Sequence, residues 1–512
     1  MKDQLLSVVS RPKVSLALLL AAIIALVAGA IAASGGRAEV RTTRGALETG
    51  ISFPFVASAS GQAIGLARIR AAGSKYAEVR IYWSSIAPHR RPAGFRPKNP
   101  ASKAYNWTDS DRQIRAVHAA GIQPLLSITS APVWAEGAGR KSSYRPGSYE
   151  PSPSALADFV TAVARRYSGS FKHLPRVRYF AVWNEPNLNT FMSPQTIGGK
   201  AFSPGRYRAM LNAAANAIHA VQADNVVIAG ETSPFGTAAA DRKATRPLTF
   251  AEEVLCVSEQ AHASKGEITY SYSSDCKTKV KFDVWSQHPY SKGGPSTRAQ
   301  HGNVSVGNMG DLRQVLAAAV RAGNVESRES VRLWVTEFSW DSKPPDPKGV
   351  PIALETRWVS QMLYRMWASG VSLVVWFDLR DEPMSKSLWQ PGLYYAGRRG
   401  ISNDRAKPIL RAFRFPFVAL PQPSNKKPTV LLWGRTPNSR AASVVIERRS
   451  GKVWRRVTKI KANRYGIFRS SIHKPTDTIY LRARLSNNSD HSAAFSLQTP
   501  TQTWTGCVWG TC

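Results

Sequence analysis

Two glutamates stand at the ends of apolar runs that are typical of buried strands. Glu185 lies in the segment WNEPN, and Glu337 lies in the segment WVTEF. A pair of carboxyl groups can divide acid and base work, because one can hold a proton while the other stays ionised. Glycoside hydrolysis uses such a pair, one carboxyl to protonate the leaving oxygen and one to attack the anomeric carbon. The residue types therefore indicate this chemistry if the fold brings both glutamates to one site.

The elements around the glutamates form a repeat. From about Gly50 to Phe415, a short β-rich run is followed by a helical run, and eight such units favour a (β/α)8 TIM barrel with parallel strands. The predicted strands are 51–55, 76–82, 122–128, 177–183, 226–230, 282–287, 333–336 and 372–377. The C-terminal ends of barrel strands face the active site. Glu185 after the fourth strand and Glu337 on the seventh are therefore expected on one face of a barrel spanning 45–415.

The pattern of apolar and polar residues changes after this barrel. The Pro-rich stretch 416–428 is predicted to be a linker, and 429–512 contains short alternating apolar and polar runs without helical stripes. This pattern predicts a small C-terminal β-sandwich. Its predicted strands are 430–433, 442–446, 453–460, 467–471 and 478–483. Lys and Arg far outnumber Asp and Glu in this part, so the accessory domain is basic on its own account.

The first 36 residues predict export. Lys2, Arg11 and Lys13 precede an apolar run, 14–33, that ends in small residues with an Ala-x-Ala site. These are the features of a secretory signal peptide. The run is also close to the ~20 residues that span a bilayer, so an uncleaved membrane anchor is equally consistent. Either alternative places the rest of the chain outside the cell.

Four cysteines fall into two local pairs, Cys256 with Cys276 and Cys507 with Cys512. In an oxidising compartment this spacing predicts two small disulfide loops. The Cys/His spacing of a zinc site does not occur in the sequence. The predicted chemistry requires neither a metal nor a cofactor.

The charge of the chain predicts attraction to polyanions. Its 69 Lys and Arg against 33 Asp and Glu give a formal net charge of +36. An anionic cell-wall or membrane surface is one partner that such charge would attract, and the basic loop 89–103 would suit an acidic glycan. A general preference for Arg would produce the same excess without any partner. Nucleic acid is not expected, because no nucleic-acid-binding motif occurs and export removes the usual partner.

The segments WNEPN and TEF resemble the clan A glycoside hydrolases, notably families 5 and 39, and the resemblance covers 51 to about 415. It implies a carbohydrate substrate and a retaining mechanism. Glu185 then corresponds to the acid/base and Glu337 to the nucleophile. Asn184 corresponds to the residue that holds the sugar 2-hydroxyl.

The same resemblance extends to residues on the second and sixth predicted strands. Arg80 resembles the arginine that hydrogen-bonds the nucleophile and lowers its pKa, although pairing with Glu78 inside the barrel is an alternative. His288 and Tyr290 resemble a His-x-Tyr pair in which the tyrosine hydrogen-bonds the nucleophile. A structural role for His288 stays open at this point.

Two tryptophans and a third carboxyl complete the predicted site. Trp376, at the end of the eighth strand, resembles the platform under the reacting sugar, and a position in the barrel core is the alternative. Trp134, after the third strand, resembles such a platform less specifically. Glu231 is expected to be a binding or structural group. The sequence thus predicts a retaining glycosidase, with a non-hydrolytic carbohydrate- or cell-wall-binding surface protein as the alternative.

Overall fold

The computed structural model describes residues 45–53, 58–237, 243–264, 267–422, 427–475 and 479–506 of the chain. The predicted signal peptide or anchor, 1–36, and the predicted pair of Cys507 and Cys512 lie outside the described residues. Across these ranges, no helix is both long enough and apolar enough to cross a bilayer.

Eight parallel strands close into a barrel in which each strand pairs with its neighbours in chain order and the eighth pairs with the first. The strands are β1 (Glu48–Ser52), β2 (Tyr76–Tyr82), β3 (Gln123–Thr129), β4 (Tyr179–Val182), β5 (Val226–Thr232), β6 (Val284–Gln287), β7 (Arg332–Phe338) and β8 (Val371–Trp376). The helices that follow them are α1 (Ala59–Ala71), α2 (Thr108–Ala119), α3 (Pro153–Arg166), α4 (Ser203–Val221), α5 (Pro247–Leu255), α6 (Met309–Ala322), α7 (Ile352–Ala368) and α8 (Pro408–Arg414). The predicted (β/α)8 barrel is confirmed.

The local sequence explains where these helices begin and which side they bury. In α3, the Ser152 side chain accepts a hydrogen bond from the Ala155 N–H, and Pro153 occupies the first turn, where a missing N–H costs nothing. The apolar side of this helix is buried against the barrel; it consists of Leu156, Phe159, Val160 and Val163. Such amphipathic helices enclose the strands on the outside.

The inside of the barrel is apolar toward the N-terminal ends of its strands. A separate buried cluster fills this half; it consists of Leu125, Ala181, Val226, Ile228, Val284, Trp334, Leu373 and Val375. The rings of Tyr76 and Tyr179 pack against the cluster. This filling leaves the opposite ends of the strands for polar chemistry, as is usual in TIM barrels.

The C-terminal part forms two antiparallel sheets. Its strands are β9 (Phe417–Gln422), β10 (Thr429–Arg435), β11 (Ser443–Ser450), β12 (Val453–Lys461), β13 (Ile467–His473), β14 (Tyr480–Leu485) and β15 (Phe495–Ser496). One sheet has the order β9-β10-β13, and the other has the order β12-β11-β14-β15.

Strand β9 lies where the sequence predicts a linker, so that prediction is wrong for Phe417–Gln422. The side chains of Phe417, Val418 and Ala419 are buried, and β9 pairs with β10 along its whole length. Pro421 is tolerated because β9 lies at the edge of its sheet, where a strand can lack an N–H donor.

Arg435 of β10 connects the C-terminal sheets to the barrel. Its side chain is fully buried, and its guanidinium donates hydrogen bonds to the carbonyl of Leu47 (3.2 Å), the hydroxyl of Thr49 (3.1 Å) and the carbonyl of Phe413 (3.2 Å). Leu47 and Thr49 flank the start of β1, and Phe413 lies in α8. The sheets therefore attach beside the N-terminal end of β1, away from the end that carries the glutamates.

A β-hairpin that the sequence did not predict follows α5. Its strands, Val257–Ser264 and Glu267–Ser274, are antiparallel. Cys256 and Cys276 flank the hairpin and form a disulfide with a Cα–Cα distance of 5.0 Å. This is the local pairing that their spacing predicts.

Candidate active site

The turn after β4 presents Asn184 and Glu185 at the C-terminal end of the barrel. Trp183 and Glu185 both adopt left-handed backbone conformations, with φ values of 73° and 39°. The Trp183 N–H bonds the carbonyl of Ile128 at 2.8 Å, and the Glu185 N–H bonds the carbonyl of Glu231 at 2.9 Å. Backbone conformations of this kind cost energy and persist where the surrounding structure holds them, often at functional sites. The turn is therefore fixed by both neighbouring strands.

The end of β5 is shaped by a glycine. Gly230 has a φ of 88°, and a Cβ atom there would collide with the main-chain oxygen of Ser286 on β6. Only glycine allows this approach, which brings Glu231 to the inside of the barrel. The Glu231 carboxylate accepts a hydrogen bond from the Ser127 hydroxyl at 3.1 Å, and burial raises its pKa to about 7.

Glu337, near the end of β7, is held by two donors. Arg80 donates a hydrogen bond to its Oε2, and the Tyr290 hydroxyl donates to its Oε1 at 2.8 Å. The Arg80 Nε also lies 3.3 Å from Oε1 of Glu78. Both readings of Arg80 are thus realised at once, because the guanidinium bridges the two carboxylates.

His288 contacts Glu185 rather than Glu337. Its Nδ1 lies 3.3 Å from the Glu185 Oε1, and its Nε2 lies 3.1 Å from the Thr336 hydroxyl, which in turn lies 2.6 Å from the Ser286 hydroxyl. Burial lowers the pKa of His288, but the carboxylates of Glu337, Glu185 and Glu231 outweigh it and raise the pKa to about 9. The imidazole is therefore a cationic neighbour of the buried carboxyls.

The two glutamates have different electrostatic surroundings. Burial raises the pKa of Glu185 and outweighs the contact with His288, which acts to lower it, while the charge of Glu337 acts in the same direction as burial. Burial also acts to raise the pKa of Glu337, but Arg80, His288 and the Tyr290 hydroxyl outweigh it and lower the pKa below its ordinary value. Environments that separate the pKa values of two carboxyls produce one acid and one base.

Asn184 has a buried acceptor that no neighbour uses. Its side chain is 3% exposed, and its Oδ1 has no hydrogen-bond partner among the described residues. Buried polar atoms are nearly always hydrogen-bonded in folded proteins. A ligand hydroxyl next to Glu185 would satisfy this oxygen.

At the end of β8, the aromatic residue that reaches the site is Phe377 and not Trp376. The side chain of Trp376 is 0% exposed, its Nε1 donates to the carbonyl of Pro391 at 2.8 Å, and its ring packs on Phe338 and Phe413. The structure therefore buries Trp376 in the hydrophobic core between β8 and α8 and does not place it as a sugar platform. A strand reverses the direction of successive side chains, so the next residue faces the site instead.

Phe377 is partly exposed, and the Arg80 guanidinium carbon lies 5.3 Å from the centre of its ring. Trp389 stacks on this ring with centroids 5.0 Å apart. A cleft of about 440 Å³ opens beside Phe377, with Glu78, Arg80 and Asp378 also in its wall, whereas Glu185 and Glu337 are not among its lining residues. The sequence indicated Phe377 only as the residue after a strand ending in Trp, so sequence reasoning missed it.

Trp134 lies farther along the rim of the barrel. Its Nε1 donates to the carbonyl of Pro88 at 2.8 Å, its ring packs edge-on against Trp83 and Phe95, and the Arg91 guanidinium lies over it. These contacts join the loop after β3 to the loop after β2. Trp134 thus packs between two rim loops, and its side chain is half-buried.

No protein-family model matches this chain, and no curated protein matches its sequence. A solved structure of a family 39 glycoside hydrolase from Bacteroides cellulosilyticus aligns with a TM-score of 0.50 and 13% identity, over 85% of this chain and 80% of that one. A glucosidase from Croceicoccus marinus aligns with a TM-score of 0.44 and 14% identity, over 85% and 94%. A GH5_18 protein from Bifidobacterium longum subsp. infantis aligns with a TM-score of 0.43 and 16% identity, over 72% and 78%. At 13% identity, the likeness to the family 39 structure establishes a shared fold.

Proposed function

We propose that this chain is a retaining glycoside hydrolase that cleaves O-glycosidic bonds of a poly- or oligosaccharide by double displacement. The observation that carries the proposal is that the pKa values of two buried carboxyls, at the ends of β4 and β7, are shifted in opposite directions. Burial raises the pKa of Glu185, whereas Arg80 and Tyr290 help to keep Glu337 ionised. A proton donor and a carboxylate nucleophile are then available at the same pH.

In this proposal each carboxyl has a task in two steps. First, Glu337 attacks the anomeric carbon while Glu185 gives its proton to the leaving oxygen, so that a glycosyl-enzyme ester forms and the alcohol departs. Glu185, now ionised, then takes a proton from water, whose oxygen attacks the anomeric carbon and releases the Glu337 carboxylate. Each step inverts the anomeric carbon, so the product retains the configuration of the substrate.

Other residues at the site are proposed to bind the sugar. The unsatisfied Oδ1 of Asn184 can accept a hydrogen bond from a hydroxyl next to the reacting carbon. The partly exposed ring of Phe377 offers a flat apolar surface beside Arg80, and pyranose faces stack on such rings. His288 keeps Glu185 in place through the 3.3 Å contact, while the Thr336 hydroxyl orients the imidazole.

We also propose that the protein works outside the cell. The N-terminal basic residues and apolar run support a signal peptide or membrane anchor in 1–36, and the disulfide between Cys256 and Cys276 suits an oxidising compartment. A net charge of +36 supports electrostatic adherence to an anionic cell-wall or membrane surface. Adherence of this kind weakens as salt rises, because exposed charges are screened beyond ~8 Å at 0.15 M.

The test of the hydrolytic proposal is the stereochemistry of the first product. A panel of aryl glycosides identifies a substrate, and NMR then follows the anomer that is released before mutarotation. The expected product keeps the anomeric configuration, and a 2-deoxy-2-fluoro glycoside of that sugar should label Glu337. Inversion of the anomeric carbon, or a label on another carboxyl, would exclude the assignment of Glu337 as nucleophile.

A further inference from the structure

The outer side of the four-stranded C-terminal sheet carries a concentration of positive charge. Residues directly opposite each other on antiparallel strands project from the same side of a sheet. Glu447 of β11 lies opposite Arg456 of β12 and Arg482 of β14, while its neighbours Ile446 and Arg448 project from the other side. The cations that share the side of Glu447 are here called the basic face: Arg449, Arg456, Lys459, Lys461, Arg482 and Arg484.

A β-bulge in β12 brings these cations to one side. Lys459 lies opposite Val445, and after a register shift Arg456 lies opposite Glu447, so Val457 is the extra residue. Without the bulge, Val457 would take the place of Arg456 on the basic face. Bulges re-aim side chains in this way and are treated as functional features of a strand.

The basic face already holds one carboxylate of the protein itself. The Glu447 side chain is 8% exposed, and its two oxygens accept hydrogen bonds from Nε of Arg482 (2.8 Å) and Nε of Arg484 (2.7 Å). This contact fixes both guanidinium groups, and Nη1 of Arg484 is held further by the carbonyls of Leu485 (2.9 Å) and Asn488 (3.1 Å). Pre-ordered side chains reduce the entropy lost when a ligand binds.

Arg456, Lys459 and Lys461, by contrast, are exposed and form no ion pair with any residue that the structure describes. They follow one another along β12, which is the edge strand of its sheet. Alternate residues of a strand lie roughly 6 to 7 Å apart, so the three cations form a row rather than a pocket. A single small anion could neutralise only part of this row, whereas a linear polymer with recurring anions could engage all of it.

Two aromatic rings lie at one end of the row. The Arg482 guanidinium lies 4.3 Å from the centre of the Trp454 ring, and that of Arg449 lies 6.0 Å from the centre of the Tyr480 ring. Flat rings take the apolar faces of sugars, and a guanidinium matches the geometry of a carboxylate. Rings with adjacent cations therefore suit a sugar that bears a carboxylate. The aliphatic residue of this surface, Val445, is buried and is not available for insertion into lipid.

From these observations we infer that the basic face binds a carboxylated polysaccharide. The ligand lies along β12, with carboxylates against Arg456, Lys459 and Lys461 and a sugar ring near Trp454. This surface is separate from the barrel site, so the inference does not depend on hydrolysis. If the proposed hydrolase acts on such a polymer, the basic face holds the chain while the barrel cleaves it.

The test measures binding of the full chain to immobilised polygalacturonate, with its methyl ester as the uncharged probe. The triple variant Arg456→Ala, Lys459→Ala, Lys461→Ala removes the row, and the control triple Arg70→Ala, Arg321→Ala, Arg365→Ala removes the same charge from exposed positions on α1, α6 and α7. Loss of the row should weaken binding about tenfold, and the control should change it by less than about twofold. The ester should bind neither variant nor parent.

If both triple variants weakened binding equally, the overall charge of the protein would explain the binding, and the inference would be overturned. Unchanged binding by the triple variant of the row would also overturn it. Tighter binding of polyphosphate, DNA or phosphatidylglycerol vesicles through the same row would overturn the choice of a carboxylated polysaccharide. The charge reversal Lys459→Glu, Lys461→Glu is a second variant, for which a larger loss is expected. Repeating the assay with Glu337→Gln separates this inference from hydrolysis, because that variant should still bind the polymer.

Discussion

At the scale of single residues, the proposed mechanism gives Glu337 and Glu185 different chemical tasks, so replacing them should have different consequences. Glu337→Gln removes the proposed nucleophile and should abolish turnover of every substrate. Glu185→Ala should slow glycosides with poor leaving groups by about 10²- to 10⁴-fold, the usual contribution of general acid catalysis. It should still form the glycosyl-enzyme from an aryl glycoside whose phenol departs without a proton, and azide should then rescue turnover. Pre-steady-state kinetics and intact-mass spectrometry measure both effects.

The matched control is Glu382→Gln, because Glu382 is an exposed carboxyl on the same end of the barrel. It should keep the activity of the parent within about twofold. Residual turnover by Glu337→Gln, or equal damage from Glu382→Gln, would contradict the assignment.

Tyr290→Phe should change the pH profile on its acid side. The Tyr290 hydroxyl donates to the ionised form of Glu337 and helps to lower its pKa, so its removal lets the pKa rise. Because the proposed attack requires ionised Glu337, the acid limb of kcat/KM should move to higher pH, and the loss of rate should be greatest at low pH. The alkaline limb, which reports Glu185, should stay in place. Tyr364→Phe on α7 is the control; a uniform loss at all pH values would speak against this role of Tyr290.

Glu231 provides a test in which stability, rather than rate, is measured. Its pKa is about 7 in the folded protein, and the ordinary value is 4.5. Between these values the folded state keeps a proton that the unfolded chain releases, so the free energy of unfolding falls as pH rises through this window. Glu231→Gln cannot ionise and should gain up to about 3 kcal/mol relative to the parent by pH 8. Thermal unfolding at pH 5 and pH 8 tests this, and parallel pH dependence in both proteins would contradict it.

At the scale of elements, the disulfide-bonded hairpin should stabilise the fold without being required for it. Cys256 and Cys276 are separated by 20 positions, and closing a loop of this size contributes up to about 3 kcal/mol. The double variant Cys256→Ser, Cys276→Ser should therefore melt several degrees lower while keeping the far-ultraviolet circular dichroism of the parent. Reductant should lower the melting temperature of the parent but not that of the variant. Loss of barrel structure on reduction would show that the crosslink is essential.

The barrel strands were predictable because each is an apolar run followed by an amphipathic helix. Strand β2 matches its predicted bounds, and β4 ends earlier than predicted because Trp183 turns into a left-handed conformation. The hairpin Val257–Ser264 and Glu267–Ser274 was missed because its first strand is largely polar and exposed, although Ile268, Tyr270 and Tyr272 alternate with polar residues in the second strand. Strand β9 was missed because Pro421 within it and Pro416 and Pro423 on either side are typical of a linker.

The site could likewise be predicted only where a local sequence pattern marked its residues. Glu185 and Glu337 could be recognised because each occupies a strand end, and the contacts of Arg80 and Tyr290 with Glu337 agree with the resemblance. The sequence could not show that Phe377, and not Trp376, faces the site, because a shift of one residue at a strand end reverses which side chain faces it. The contacts of His288 with Glu185 and Thr336 arise from three different strands and leave no local signal.

At the scale of the whole molecule, Arg435 should matter more than its distance from the active site indicates. Arg435→Ala removes the donor from the buried carbonyls of Leu47 and Phe413 and should lower the free energy of unfolding by about 3 kcal/mol. Burial already lowers the pKa of this guanidinium to about 10, which reflects its separation from water. Denaturant unfolding followed by tryptophan fluorescence measures the change. The exposed neighbour Arg440→Ala should change stability by less than about 0.5 kcal/mol, and an equal effect of both would contradict the role of Arg435.

The contacts of Arg435 also bear on the order in which the protein can be made. The guanidinium bonds Leu47 and Thr49 across 388 and 386 residues of sequence. The first strand of the barrel therefore gains these hydrogen bonds only after Arg435 has been synthesised. Synthesis and export both proceed from the N terminus, and domains usually fold in that order. A nascent chain can form its helices and pair its first strands, yet the start of β1 lacks its last hydrogen bonds until β10 has emerged. Premature termination anywhere before β10 would therefore leave the start of β1 without these hydrogen bonds.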